Sequence, residues 1–127
     1  MSQSWFIPKE ETEMQRKANL LLELESERKA AEAQGVEIEG VPYSGDPSNR
    51  AALLESVQFA REEGRETFEK WKDSAGRFHR DYPLSCVENG LRVIGDRRGK
   101  LIAREAEYAA LIEAGELTSV EGLDWEV

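Results

Sequence analysis

Residues 9–34 contain neither Gly nor Pro, and Glu, Lys, Arg, Leu, Ala and Gln make up most of this run. These residues have high helix propensity, so the sequence predicts one long helix that stops at Gly35. The first half carries an apolar stripe made of Met14, Ala18, Leu21 and Leu22, with Leu24 beside it. Residues 25–32 are almost wholly charged or Ala. We therefore expect only the first half to be buried, and the far end to project into solvent or to meet another chain.

Residues 36–43 predict a first antiparallel hairpin, because apolar and polar residues alternate on both sides of Glu39-Gly40. The dipeptide Asp46-Pro47 that follows has the pattern of an N-cap and a first helical position. We expect this second helix to end near Glu63, with Gly64 as its cap. Its predicted inward stripe consists of Leu53, Leu54, Val57 and Ala60.

Residues 67–82 predict a second hairpin, with aromatic residues on both arms and a loop that ends at Gly76. Simple alternation places His79 on the face opposite Phe78 and Tyr82, which predicts an exposed histidine. Trp71, near the end of the first arm, is expected in the core more than at a contact surface.

The last long helix is predicted to open at residues 85–88, Ser-Cys-Val-Glu, which have the form of a capping box. Apolar residues then recur at spacings of three and four, namely Val87, Leu91, Ile94, Leu101, Tyr108 and Ile112. Gly90, Gly95 and Gly99 interrupt this pattern, so we expect either close helix packing or a break near residues 95–99. Residues 118–121 repeat the capping pattern and predict a short final element.

Together these segments predict an α+β fold, with a small antiparallel sheet from two hairpins packed against two or three helices. The long N-terminal helix is expected to project in part. The chain length suits a single domain over residues 9–127, preceded by a short apolar segment at residues 1–8.

The charge of the chain argues against two classes of partner. Asp and Glu number 26 against 17 Lys and Arg, a formal net charge of -9, so we expect no nucleic-acid partner. No apolar run is long enough to predict a membrane helix, and no signal peptide is evident, so we expect synthesis in the cytoplasm. The basic stretch from Arg92 to Arg104 is interpreted as a solvated helix face, with a site for an acidic partner as the alternative.

The single His and the single Cys limit the catalytic options, so the sequence predicts no catalytic, metal or cofactor site and no enzyme. Cys86 is interpreted as a small buried hydrophobe. Large aromatic residues remain as candidate contact residues, because such side chains carry much of the binding energy at interfaces. These candidates are Trp5, Phe6, Trp71 and Trp125, the last in the stretch 105–127, which holds seven acidic residues and no basic one.

The order of elements suggests a family. The hairpin at residues 36–43, the polar helix start with Asp46 and Arg50, and Trp71-Lys72 followed by Gly76 resemble a small domain of unassigned function from tailed phages and prophages. That domain occurs in tail-fibre and tail-associated proteins, and the similarity covers about residues 20–114. The resemblance implies a structural or assembly module without catalytic residues. Asp46, Arg50, Trp71 and Gly76 are the matching positions.

The resemblance leads to the hypothesis of a non-enzymatic tail-associated protein that acts in fibre assembly or as a structural accessory. Its partner would be a tail-fibre or baseplate component, with a place in the virion tail and self-association left open. The alternative is a small acidic regulatory or inhibitory protein that imitates nucleic acid. A hydrolase that uses a carboxylate pair is a third hypothesis, which requires two close acidic groups in a cleft.

Overall fold

The computed structural model describes the backbone of residues 9–127 and the side chains from Thr12 onward. The predicted apolar segment at residues 1–8, and with it Trp5 and Phe6, lies outside the described residues. The elements are α1 (Lys9–Ala33), β1 (Val36–Ile38), β2 (Val41–Tyr43), α2 (Pro47–Glu62), β3 (Thr67–Lys72), β4 (Phe78–Pro83) and α3 (Leu84–Glu113). The predicted α+β class is confirmed.

The two predicted hairpins are both present, and each forms its own two-stranded antiparallel sheet, β1 with β2 and β3 with β4. The turn between β1 and β2 places Glu39 and Gly40 at φ values of 51° and 80°, as a tight hairpin turn requires. The long helix α3 contacts α1, α2 and strands of both hairpins, so it is the element on which the rest of the fold is assembled.

The described part of the chain has two hydrophobic clusters along α3. Around its first half, residues of both hairpins and α2 form one cluster, built on Tyr43, Val57, Trp71, Val87 and Ile94. Around its second half, α1 and the segment after α3 form the other, built on Leu24, Ile112 and Val120. The helix is thus long enough to join two small cores, and the hairpins belong to the first of them.

The prediction that only the first half of α1 is buried is wrong. Leu24 in that half is fully buried, as expected, but the charged half is buried as well. Met14 and Leu22 of the expected stripe are 70% and 68% exposed, whereas Arg28 and Glu32 in the charged half are buried. Arg28 Nη1 lies 2.5 Å from Glu32 Oε1, and Arg28 Nε lies 2.7 Å from Glu105 Oε1 on α3. The charged half packs on α3 because its charges are paired across the interface, a possibility that a hydrophobic pattern does not reveal.

The start of α2 is confirmed: Asp46 is the N-cap, and its Oδ1 accepts a hydrogen bond of 2.8 Å from the Ser48 amide. The expected inward position of Leu54 is wrong, since its side chain is 52% exposed. Leu53, Val57 and Ala60 are turned inward as predicted.

Two predictions for the C-terminal part are wrong, and of the two alternatives for the glycines of α3 the break is excluded, whereas Gly90 packs closely against Tyr43. Helix α3 begins at Leu84 with Pro83 as N-cap and no side-chain cap, so the capping box at residues 85–88 does not form. Its Glu88 pairs instead with Arg61 of α2, at 2.5 Å. The helix continues without a break through residues 95–99, and residues 118–121 open no helix.

None of the helices within residues 9–127 has the length and apolar character needed to cross a membrane.

Candidate functional site

The β3–β4 hairpin is fixed to the core through Trp71, whose side chain is only 8% exposed. Its ring stacks on Tyr82, with the centroids 4.6 Å apart and the planes at 9°. Tyr43 of β2 lies on another side of the indole, at 5.5 Å. The expected core position of Trp71 is confirmed. Its indole is therefore covered by this chain's own residues in the folded protein.

His79 lies on the inner face of the hairpin, and the prediction of an exposed histidine opposite Tyr82 is wrong. The register pairs Trp71 with His79, and the two rings are 5.7 Å apart. Tyr82, three residues later, shares this face because Asp81 adopts a left-handed conformation, with φ of 50°, that interrupts the alternation. Phe78, which precedes His79 on β4, lies on the outer face instead, and its side chain is 73% exposed.

The loop of this hairpin is organised by Asp73, whose side chain is 1% exposed. Its Oδ1 accepts hydrogen bonds from the backbone amides of Ala75 and Arg77, at 2.9 Å and 3.0 Å. His79 Nε2 lies 2.9 Å from the other carboxylate oxygen, Oδ2. The hydrogen bond with His79, followed by those from the loop amides, holds the pKa of Asp73 below its usual value. The charged carboxylate thus closes the loop against β4.

Two tyrosines connect the inner face of this hairpin to the first one. The hydroxyl groups of Tyr43 and Tyr82 are hydrogen-bonded to each other, and the Tyr43 hydroxyl also donates to the Cys86 carbonyl at 3.4 Å. Burial raises the pKa of both hydroxyls, so both remain protonated and able to donate at neutral pH. Cys86 itself is half-buried at the start of α3.

The outer face of the hairpin carries several cations. Lys70 stands directly opposite Arg80, and Lys72 stands opposite Phe78 with its Nζ 5.7 Å from the ring centroid. Neither Lys70 nor Arg80 forms an ion pair with any side chain from Thr12 onward. Like charges directly opposite on a sheet repel each other, at a cost of about 0.2–1 kcal/mol. We call Lys70, Lys72, Phe78 and Arg80 the hairpin patch.

The hairpin patch borders a shallow depression of about 440 Å³ that is lined by Lys70, Phe78, His79 and Arg80. Cations around an exposed aromatic ring suit an anionic surface that also offers an apolar contact. These residues are not among the contact residues expected from the sequence, although the sequence carries a signal for them. Pairing the arms around the 73–76 loop already aligns Lys70 with Arg80, and Lys72 with Phe78.

Trp125 is half-buried and packs edge-on against Tyr108 of α3, with the ring centroids 5.4 Å apart. The Tyr108 hydroxyl donates to the Asp124 carbonyl at 2.7 Å, so the C-terminal segment is tied to α3. Trp125 also lines a surface pocket of about 510 Å³, together with Glu27, Asp124, Glu126 and Arg97 among others. Trp125 packs against the second hydrophobic cluster, whereas Trp71 belongs to the first.

The interpretation of the basic stretch of α3 as a solvated face holds for Arg92 and Lys100, which are exposed, and is wrong for the three other arginines. Arg97 Nη1 donates to the Ala31 carbonyl of α1 at 2.8 Å, and Arg98 Nε lies 3.0 Å from Glu32 Oε2. Arg104 Nη1 donates to the Asp124 carbonyl at 3.0 Å. These cations hold α1 and the C-terminal segment on α3.

The remaining matching positions do not line the hairpin patch. Asp46 caps α2, Gly76 takes the left-handed conformation of the hairpin loop at φ of 87°, and Arg50 lies between α2 and α3 near Gly95. Among the side chains that the structure describes, no group of three or more His, Cys, Asp or Glu is arranged to hold a metal ion.

Comparison with known proteins gives a family. Curated proteins and solved structures provide no match to the chain. Residues 15–127, nearly the whole chain, match the family described as "Domain of unknown function (DUF4376)". This match spans α1 from residue 15 onward, both hairpins, the whole of α2 and α3, and the C-terminal segment. The chain therefore belongs to the DUF4376 family of domains of unknown function.

Proposed function

We propose that the chain is a non-enzymatic protein-binding domain that docks through the hairpin patch onto an acidic surface of a partner protein. The observation that carries this proposal is the cross-strand pair of Lys70 and Arg80, two cations beside the exposed ring of Phe78 that have no ion-pair partner among the described side chains. Partner carboxylates between the two cations would relieve their repulsion, so association would stabilise the hairpin as well as the complex.

The inner face of the hairpin prepares this surface for binding. Trp71, Asp73 and Tyr82 fix the strands and the loop from behind, so the patch is held in place before a partner arrives. A preorganised surface loses less conformational entropy on association than a mobile one. Phe78 would supply the apolar anchor, and the cations around it would supply orientation and charge complementarity.

The resemblance to tail-associated phage domains supports a candidate for the partner. In this proposal the domain acts in tail-fibre assembly or as a structural accessory, and the hairpin patch meets an acidic surface of a fibre or baseplate component. The protein would be made in the cytoplasm of the host cell.

The alternative of an acidic protein that imitates nucleic acid receives less support from the described contacts. Glu105 pairs with Arg28, and Asp124 lies 3.7 Å from Arg104. These carboxylates of the acidic stretch are thus directed at the chain's own arginines, whereas a mimic needs them on one open face.

The experiment is a binding measurement between the full chain and purified products of the genes beside its own. Titration calorimetry at about 50 mM and about 300 mM salt separates electrostatic docking from apolar docking, because salt screens exposed charges. We expect the K70E/R80E double variant and the Phe78→Ser variant each to weaken binding by about tenfold or more. Lys100→Glu is the matched control, since Lys100 is an exposed cation on α3 that pairs with Asp96 at 3.2 Å.

The proposal predicts that the control binds as the wild type does, and that added salt weakens the wild-type complex. A partner that binds K70E/R80E and Phe78→Ser as tightly as wild type would overturn docking through the hairpin patch. Far-UV and near-UV circular dichroism of each variant establishes that the hairpin is still folded.

A further inference from the structure

The guanidinium group of Arg50 has no partner in the part of the chain that the structure describes. Its Nε is buried without a hydrogen bond, and none of the side chains from Thr12 onward forms an ion pair with it. Its Nη2 lies beside Gly95 of α3, because a Cβ atom built on that glycine would be 4.0 Å from Nη2. Buried arginine N–H groups are nearly always hydrogen-bonded, so an unpartnered one suggests a ligand that supplies the acceptor.

The surface beside Arg50 is a pocket of about 450 Å³ between α2 and α3. Its lining combines two arginines with four apolar residues, and consists of Pro47, Arg50, Ala51, Leu54, Leu91 and Arg92. None of these is acidic, although acidic residues outnumber basic ones by 26 to 17 in the whole chain. The pocket is therefore locally positive on a protein whose net charge is negative.

The second arginine is positioned at the rim of the same pocket. Arg92 is hydrogen-bonded through Nη2 to Asn89 Oδ1 one turn earlier on α3, which fixes its guanidinium group. Leu54 remains 52% exposed here, so the pocket offers apolar surface that this chain does not cover. The exposure of Leu54, unexpected from the sequence, is explained if a ligand packs on it.

The shape and chemistry of the pocket favour one class of ligand. A guanidinium group binds a carboxylate through two parallel N–H···O hydrogen bonds, and two arginines raise the preference for an anion. The leucine and alanine side chains suit an apolar group attached to that carboxylate, whereas inorganic phosphate would leave them uncovered. A volume of about 450 Å³ is in the usual range for pockets that bind small molecules or a peptide end.

We propose that the pocket between α2 and α3 is a binding site for a carboxylate attached to an apolar group, with Arg50 and Arg92 as the anion-binding residues. The carboxylate belongs either to a small organic acid or to the C-terminus of a peptide. The site is separate from the hairpin patch, and it stands or falls independently of the proposed function.

The test is a titration of the full chain with phenylbutyrate, followed by heteronuclear NMR and calorimetry. Phenylbutyramide is the neutral matched probe, since it keeps the apolar group and loses the charge. We expect saturable binding of the acid, with amide shifts concentrated at Ala51, Leu54 and Leu91, and no such response to the amide. Acetyl-Ala-Leu with a free or an amidated C-terminus, used in the same way, tells whether a peptide end also binds.

Variants of the two arginines give the decisive comparison. Arg50→Gln and Arg92→Gln should each raise the dissociation constant by about tenfold. Arg65→Gln, which alters an exposed arginine beyond the end of α2, should leave the constant unchanged. Arg92 is at the rim, so its variant carries the test if Arg50→Gln lowers the stability too far.

Binding of phenylbutyrate or of acetyl-Ala-Leu that depends on both arginines supports the site. Which of the two probes binds shows whether the site takes a small organic acid, a peptide C-terminus or both. Equal binding of the acid and of its amide would overturn the proposal. So would the absence of saturable binding for both carboxylates, or wild-type affinity in a folded Arg92→Gln variant.

Discussion

The ring of Tyr43 lies directly against the backbone of Gly90 in α3. A Cβ built on Gly90 would be 2.8 Å from both Cδ1 and Cε1 of that ring, closer than packed atoms approach. Tyr43 is 3% exposed, and its hydroxyl is bonded to Tyr82 and Cys86, so the ring has little room to move. The glycine that weakens the helix is therefore the residue that lets the first hairpin reach it.

We predict that Gly90→Ala destabilises the protein although it raises helix propensity. The methyl group would displace the Tyr43 ring, and overpacking of this kind costs about 1–3 kcal/mol in unfolding free energy. Gly99 is the matched control, because nothing lies within 4 Å of a Cβ built there. Gly99→Ala should stabilise the protein by about 0.5–1 kcal/mol. Urea unfolding of both variants measures the difference, and equal effects would contradict the close approach.

The lowered pKa of Asp73 predicts a pH dependence of stability. The carboxyl group has a pKa below the ordinary 3.8 in the folded protein, so its contribution is fully present above that value. The contribution is then lost as the pH falls through the lower, folded pKa. Asp73→Asn should lower the melting temperature at neutral pH, and the two melting temperatures should converge in acid. Curves that stay parallel down to about pH 2 would argue against the charged carboxylate as the cause.

The buried Glu32 is predicted to be essential for the packing of α1 on α3. Its carboxylate is 3% exposed and pairs with Arg28 at 2.5 Å and with Arg98 at 3.0 Å. Glu32→Ala leaves two cations without their shared partner, and we expect a loss of about 3–5 kcal/mol in the free energy of unfolding. Asp96→Ala, which removes an exposed pair with Lys100, should cost far less. Guanidinium unfolding followed by circular dichroism distinguishes the two.

The hairpin patch predicts a variant that gains stability while it loses binding. Lys70→Glu would replace a repulsive cross-strand pair with Arg80 by an attractive one, which should stabilise the hairpin by about 0.5 kcal/mol. The same change removes a cation from the proposed docking surface. Thermal unfolding and partner titration of this variant, with Lys100→Glu beside it, check both effects. A destabilised Lys70→Glu hairpin would show that Lys70 has a favourable intramolecular role.

Local patterns in the sequence predicted the elements well, because helices and tight hairpins depend on near neighbours. The run without Gly or Pro gave α1, Asp46-Pro47 gave the start of α2, and Glu39-Gly40 gave the first turn. The capping box at residues 85–88 failed because the helix begins at Leu84, which places Ser85 inside the first turn, and because Glu88 is taken by Arg61. Competing tertiary contacts of this kind have no local signal.

The candidate sites were harder to predict than the elements. Trp71 was correctly placed in the core, but the inward position of His79 depends on the left-handed conformation of Asp81. Arg50 was expected only as a matching position, and the lack of a partner for its guanidinium group among the described residues becomes visible only when α2 lies on α3. Burial of a charged side chain depends on which distant residue faces it, and this information is not contained in sequence spacing.

The sequence by itself determined which segments are helical, where the two hairpins turn, and that the chain is acidic. The tertiary structure decided which surfaces are buried: the charged half of α1 through Arg28 and Glu32, and the inner face of the β3–β4 hairpin through Trp71. The physical reason is the separation along the chain over which each kind of interaction acts. Backbone conformation responds to residues a few positions away, whereas burial, ion pairing and exposed binding surface depend on residues far apart in the chain that meet only in the folded protein.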